Sequence, residues 1–205
     1  MRRIIEKKSA WAVSTGFILL VFCSLSPVFA QDSTEVLSLL PERMGPMESF
    51  MWSEHGIMRK TGNFPLTQDG REKEMGLRRT FLSLHQLGGF ATLACMTATV
   101  VLGWKTYNGA DLGQLHRAMA WTTIGAYATT ASLAVFTPPP LIRRKQWNTI
   151  STHKLLATLH LTGMVITPYL GWQVADGKRE LAKIHMMSAL ATTALFGAAM
   201  LVVTF

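Results

Sequence analysis

The chain has 205 residues, of which 49% are hydrophobic and only 16% are charged, and its formal net charge is +8. Long apolar runs separated by short charged stretches indicate a membrane protein rather than a soluble globular domain. The positive charge does not indicate nucleic-acid binding, because basic loop residues beside membrane spans usually face lipid head groups. The lipid bilayer is therefore the predicted partner, and nucleic acid is not.

Residues 1–30 have the basic start, apolar middle and small-residue end of a signal peptide. Cleavage is expected after Ala30, the last residue of Val28-Phe29-Ala30; if the segment is retained, it forms an N-terminal anchor. Either reading places residues 31–79 on the extracytoplasmic side of a bacterial inner (cytoplasmic) membrane. Basic residues flanking the spans favour the reverse orientation, eight against five, and the signal sequence is given more weight.

Residues 31–79 are predicted to form an extracytoplasmic amphipathic segment. Between Met47 and Met58, apolar side chains flanked by Pro and Gly predict a short helix at the membrane interface. A loop from Thr61 to Gly70 and a charged helical lead-in from Asp69 to Arg79 follow. His55 is expected at the surface without a ligand role.

Residues 80–205 contain four uncharged runs, each near the roughly 20 residues that a helix needs to cross a bilayer. These runs are 80–104, 118–142, 155–175 and 184–205. The predicted fold is an all-α membrane protein. Its architecture is a four-transmembrane-helix up-down bundle made of two repeated helical hairpins.

The repeat appears as histidine, glycine and tryptophan at matching positions in the two halves of this region. The offset is identical for His85/His153, Gly103/Gly171, Trp104/Trp172 and Gly109/Gly177, and one position longer for His116/His185. In an up-down bundle, helices one and three are diagonal, as are two and four. His85 is therefore expected to face His153 near one membrane surface. His116 is expected to face His185 near the other.

Two histidines that face each other across a bundle fit a haem iron with two axial imidazoles. The two pairs predict two haem b groups, with iron ligands His85, His153, His116 and His185. Neither Cys23 nor Cys95 lies in a motif for covalent attachment, so both haems are expected to be non-covalent. Ionisable residues inside membrane spans are rare and functional by default, which favours ligation over packing.

His160 is the alternate ligand in the second half of the repeat. It lies seven residues after His153, hence on the same helix face and about 10 Å deeper. The repeat argues for His153, because the counterpart of His160 in the first half is Thr92. A role toward a quinone or a proton, or an ordinary hydrogen-bonded core position, stays open for His160.

Basic residues cluster near the predicted ligands. They are Arg78, Arg79, Arg117, Arg143, Arg144 and Lys154. Guanidinium groups could pair with haem propionates through two parallel hydrogen bonds. The same residues could instead extend to the lipid head groups.

With one histidine per helix at alternating ends, residues 80–205 resemble the cytochrome b561 family in its broad sense. The resemblance implies two b-type haems between diagonal helices and an oxidoreductase that transfers electrons across or at the membrane. It also implies a quinone or small-molecule electron donor and a redox partner protein. The flanking helices of the six-helix members have no counterpart in this chain.

Two other functions remain as alternatives. One is a histidine-lined metal transporter or metal-binding membrane protein, although carboxylate and thiolate ligands are missing from the pattern. The other is a haem-bearing anchor subunit of a quinol-linked oxidoreductase complex. A visible spectrum separates the first from the cytochrome, and co-purification separates the second.

Overall fold

The computed structural model describes residues 39–143 and 146–204, so the predicted signal peptide lies outside it. Every regular element in these two ranges is helical, which confirms the all-α prediction. The helices are α1 (Pro46–Trp52), α2 (Ile57–Lys60), α3 (Gln68–Tyr107), α4 (Gly113–Val135), α5 (Thr149–Ala175) and α6 (Ala182–Thr204), with a 3-10 turn at Arg179–Leu181.

The predicted interfacial helix between Met47 and Met58 is two short helices, α1 and α2. They separate at Gly56, where a Cβ atom would come within 2.6 Å of the Met51 carbonyl oxygen. Trp52, the last residue of α1, is only 1% exposed. Its indole Nε1 donates to the carbonyl of Phe136 at 3.1 Å. The segment is therefore attached to the chain beyond α4 by a buried aromatic ring.

The charged lead-in and the first predicted span form one continuous helix, α3. It begins at Gln68, because the Thr67 hydroxyl accepts from the backbone N–H of Gly70 at 3.1 Å and caps the first turn. A Cβ atom at Gly70 would overlap the Pro65 carbonyl oxygen. Glycine is thus required for the close approach between the loop and the start of the helix.

The four long helices form two antiparallel hairpins, α3 with α4 and α5 with α6, and α3 also packs against α6. Each hairpin turns at a glycine with positive φ, 96° at Gly109 and 102° at Gly177. Only glycine adopts this region without strain. In both turns the residue after the glycine donates to the carbonyl five residues before it. The predicted repeat therefore extends to the conformation of the turns.

The second predicted span, 118–142, is shifted in the structure. Helix α4 starts earlier, at Gly113, and ends at Val135. Pro138, Pro139 and Pro140 cannot continue a helix, because their rings lack the N–H and clash with the preceding turn. The apolar run thus covers a helix end and a connecting segment that is buried at Thr137, Pro138 and Pro139.

Two helices are long and apolar enough to cross a membrane: α3, and α6 with its preceding 3-10 turn. Helices α4 and α5 do not reach that level of apolarity, because they contain many threonines. Several of these hydroxyls donate to the carbonyl one turn earlier, as Thr122 does to Ala118 at 3.1 Å and Thr158 to Lys154 at 3.0 Å. Such bonds satisfy the hydroxyl inside its own helix.

Glu74 is the centre of the contacts that hold α1 and α2 against α3. Its side chain is fully buried and forms ion pairs with Arg59 of α2 and Arg71 of α3. Arg59 also donates to the carbonyl of Trp52 at 3.0 Å, and Arg71 donates to the carbonyl of Pro139 at 3.1 Å. One carboxylate therefore links α1, α2, α3 and the segment that follows α4.

Replacement of Glu74 by Gln should lower the free energy of unfolding by about 3–5 kcal/mol, because two buried guanidinium groups lose their counter-charge. Chemical denaturation of the purified protein in detergent measures the change. Glu72→Gln is the matched control, since Glu72 is exposed on the same helix. Equal stability of the two variants would contradict the role assigned to Glu74.

Candidate functional site

Four histidines of the long helices come together in two pairs, as the repeat predicts. The ring centroids of His85 on α3 and His153 on α5 are 6.2 Å apart. Those of His116 on α4 and His185 on α6 are 6.1 Å apart. Each pair therefore joins one helix of the first hairpin to one helix of the second.

All four imidazoles bond to a backbone carbonyl on the other helix of their own hairpin. Through Nδ1, His85 bonds to Thr130 at 2.8 Å, His153 to Ala199 at 2.8 Å, His116 to Thr99 at 3.0 Å and His185 to Thr167 at 3.0 Å. A carbonyl only accepts, so Nδ1 carries a proton, and in the neutral form of the ring the lone pair then lies on Nε2. This arrangement is typical of metal-ligating histidines.

The carbonyl acceptors are themselves related by the repeat, since Thr99 corresponds to Thr167, and Thr130 corresponds to Ala199. The hydroxyl of Thr99 bonds to Thr123 at 2.8 Å. The equivalent hydroxyls, of Thr167 and Thr192, lie 3.4 Å apart. Sequence reasoning missed these threonines although their spacing was available, because threonine is common where membrane helices pack.

The glycine of each Gly-Trp motif makes room for the second histidine of its hairpin. A Cβ atom on Gly103 would lie 2.8 Å from Cε1 of His116, and one on Gly171 would lie 2.9 Å from Cε1 of His185. Both glycines are therefore part of the site, since a larger side chain would displace the imidazole. The tryptophans that follow, Trp104 and Trp172, are exposed.

The spacing within the pairs fits an iron between two axial imidazoles. Metal–imidazole bonds of about 2.0–2.1 Å place the centres of two rings on opposite sides of one metal roughly 6 Å apart. Each pair could supply two ligands to a haem iron, and the porphyrin would supply the rest. Within residues 39–143 and 146–204, no group of three or more His, Cys, Asp or Glu side chains could hold a metal ion. Two-ligand sites therefore fit haem better than a bare metal ion.

His160 does not face another histidine. Its Nδ1 lies 3.1 Å from the hydroxyl oxygen of Tyr127, and its ring centroid is 4.9 Å from that of Phe196. On α5 it lies between His153 and Thr167, and hence between the two pairs. The structure thus places His160 in the buried interior, with a hydrogen-bond partner, and places His153 opposite His85.

Two of the basic residues considered as propionate partners have contacts within the protein. Arg78 donates to the carbonyl of Pro138 at 2.6 Å, and Arg143 pairs with Glu48 at 2.6 Å. Arg79 is exposed. These contacts place Arg78 and Arg143 at the end of α3 and α4 that adjoins α1, where both side chains bind groups of the protein.

Comparison of the chain with protein-family models, with curated proteins and with solved structures finds no match. The resemblance to the cytochrome b561 family therefore depends on the positions of the four histidines. A function for the chain has to be argued from the geometry of the two pairs.

Gly103→Ala and Gly171→Ala should each destabilise the protein by about 1–3 kcal/mol, because the new methyl group overpacks the site and displaces an imidazole. Gly125→Ala is the control, since a Cβ atom there meets nothing within 4 Å, and its higher helix propensity should be neutral or stabilising. Thermal unfolding of the three variants in detergent measures the difference. Similar melting of all three would show that the glycines do not constrain the histidines.

Proposed function

We propose that the chain is a four-span membrane b-type cytochrome with two non-covalent haems, which transfers electrons across the membrane. His85 and His153 would hold one haem, and His116 and His185 the other. The observation that carries the proposal is the duplicated geometry: two pairs with centroid separations of 6.2 and 6.1 Å, and four Nδ1 bonds to equivalent carbonyls. Packing of isolated histidines would not require this agreement.

The histidines have two tasks in this proposal. Nε2 would bind the iron, while the Nδ1–H bond to the carbonyl fixes the plane of the ring and raises the basicity of the ligand. Bound haem supplies a one-electron iron couple at each site. Because two histidines would hold each haem, the site would be suited to electron transfer rather than to binding a small gas molecule.

The exposed surface of the long helices supports the crossing of all four. Helices α4 and α5, although less apolar in composition, expose large side chains such as Trp121 and Val165, as α3 exposes Leu87. Contiguous exposed apolar surface is rare on soluble monomers and normal against lipid. The threonines of α4 and α5 satisfy their hydroxyls within their own helices, which lowers the cost of transfer into the bilayer.

The spacing of the pairs along the helices supports a relay. On α3, His85 is about 14 residues, or about 21 Å, from Thr99, whose carbonyl holds His116. No charged residue occurs on α3 between these positions. Tyr127, His160 and Phe196 pack between the pairs. The two pairs thus lie at different levels along the bundle, with a filled interior between them.

The purified protein should contain two low-spin haems per chain and bind carbon monoxide poorly. His153→Ala should remove one haem, because the ring opposite His85 is lost. His160→Ala should retain both haems, because its ring faces Tyr127. A reduced-minus-oxidised spectrum with haem quantification measures both effects. Retention of both haems in His153→Ala together with loss in His160→Ala would transfer the ligand role to His160.

In sealed vesicles, His116→Ala or His185→Ala should abolish electron transfer between the two aqueous sides, because one of the two sites is lost. The haem at His85 and His153 should still be reduced by a reductant on its own side. The measurement follows reduction of an impermeant acceptor trapped inside the vesicles. Transfer at the wild-type rate in these variants would favour the quinol-linked role at one side of the membrane.

A further inference from the structure

The inward face of α3 carries four residues at a spacing of seven. They are Arg71, Arg78, His85 and Thr92. Arg71 and Thr92 are buried, and His85 faces His153. Seven residues are close to two helical turns, or about 10 Å. Arg78 therefore lies on the same face as His85, about 10 Å closer to the segment formed by α1 and α2, and it precedes the uncharged run 80–104.

The segment after α4 covers the interior at the level of Arg78. Thr137, Pro138 and Pro139 are buried there. The carbonyl of Pro138 accepts from Nη1 of Arg78 at 2.6 Å. Among the described residues, the Arg78 side chain makes this one hydrogen bond. Its Nε–H and Nη2–H groups can therefore donate to another acceptor.

The surroundings of Arg78 carry a surplus of positive charge. Burial lowers the pKa of Arg78, and the charges of Arg143 and Arg71 lower it further. Glu48 acts in the opposite direction, but its carboxylate already pairs with Arg143 at 2.6 Å. A half-buried guanidinium in such a place is stabilised by an additional anion.

We propose that Arg78 binds a propionate carboxylate of the haem held by His85 and His153. The inference rests on the proposed function, since it needs a haem at that pair. A guanidinium binds a carboxylate through two parallel hydrogen bonds, and Nε and Nη2 present such a pair of donors. Arg78 is then a positioning residue that directs the propionate edge of the haem toward the α1 end of the helices.

The positive charge of Arg78 also favours the reduced state of that haem, because it stabilises an added electron at short range. A carboxylate bound to Arg78 partly neutralises this charge, and the guanidinium in turn screens the carboxylate from the iron. Removal of Arg78 leaves the propionate charge uncompensated, so the reduction potential should fall. Arg79, the next residue, is exposed and should have no such effect.

The test compares haem b with its dimethyl ester, whose propionates carry no charge. Wild type, Arg78→Ala, Arg78→Lys and Arg79→Ala are reconstituted with each, and both haem potentials are measured by spectroelectrochemical titration. With haem b, Arg78→Ala should shift one of the two potentials to a more negative value than in wild type. Arg78→Lys should return that potential most of the way to the wild-type value, because it keeps the positive charge. Arg79→Ala should have both potentials of wild type.

Titration of the apoprotein with each haem measures affinity: Arg78→Ala should weaken the binding of haem b at one site, and this difference from wild type should shrink with the dimethyl ester, because the ester has no carboxylate for the guanidinium. An equal loss of affinity for haem b and for the ester would overturn the inference, since Arg78 would then act without the carboxylate. Two haems and wild-type potentials in Arg78→Ala would also overturn it while leaving the proposed function intact. A wild-type protein that binds no haem would overturn both.

Discussion

Each of the four paired imidazoles donates a hydrogen bond from Nδ1 to a main-chain carbonyl of the neighbouring helix. This bond gives the Nδ1 proton a partner inside an apolar interior, where an unpaired polar group would be costly. It also leaves the lone pair of Nε2 available to a ligand. The bond requires the helices of a hairpin to approach closely, which Gly103 and Gly171 allow. The packing of each hairpin and the chemistry of its histidines therefore depend on the same contact.

The chemistry of α3 changes with depth in the molecule. Near its start, Arg71 is buried but paired with Glu74, so the charge is compensated within the protein. Two turns further the charge of Arg78 has a weaker counterpart, and two turns beyond it lies the imidazole of His85. Thr92 then offers only a hydroxyl, which bonds to Thr130 at 3.2 Å. The polar groups on this face therefore lose charge in the order in which they enter the uncharged run 80–104.

The all-α class and the pairing of the histidines could be predicted from the sequence, because the apolar runs indicate helices and the internal repeat fixes equivalent positions without knowledge of packing. The end of α4 could have been predicted from the three prolines that follow it, but the apolar composition of the run 118–142 favours one continuous span. The contacts of Trp52 and Glu74 could not be predicted from the sequence, because they join residues that are far apart in the chain. The place of His160 could not be predicted either, because it depends on the contact between its ring and Tyr127 of α4.

The division of the histidines between the hairpins has a further consequence. Each hairpin contributes one histidine to each pair, so neither hairpin alone contains a complete site. A ligand shared by the two halves favours their association, because it binds the assembled form and not the separated one. Two copies of one such hairpin, related by a two-fold axis, would already bring together the same four histidines. Both sites are therefore what a symmetric dimer of hairpins would form, here enclosed within a single chain.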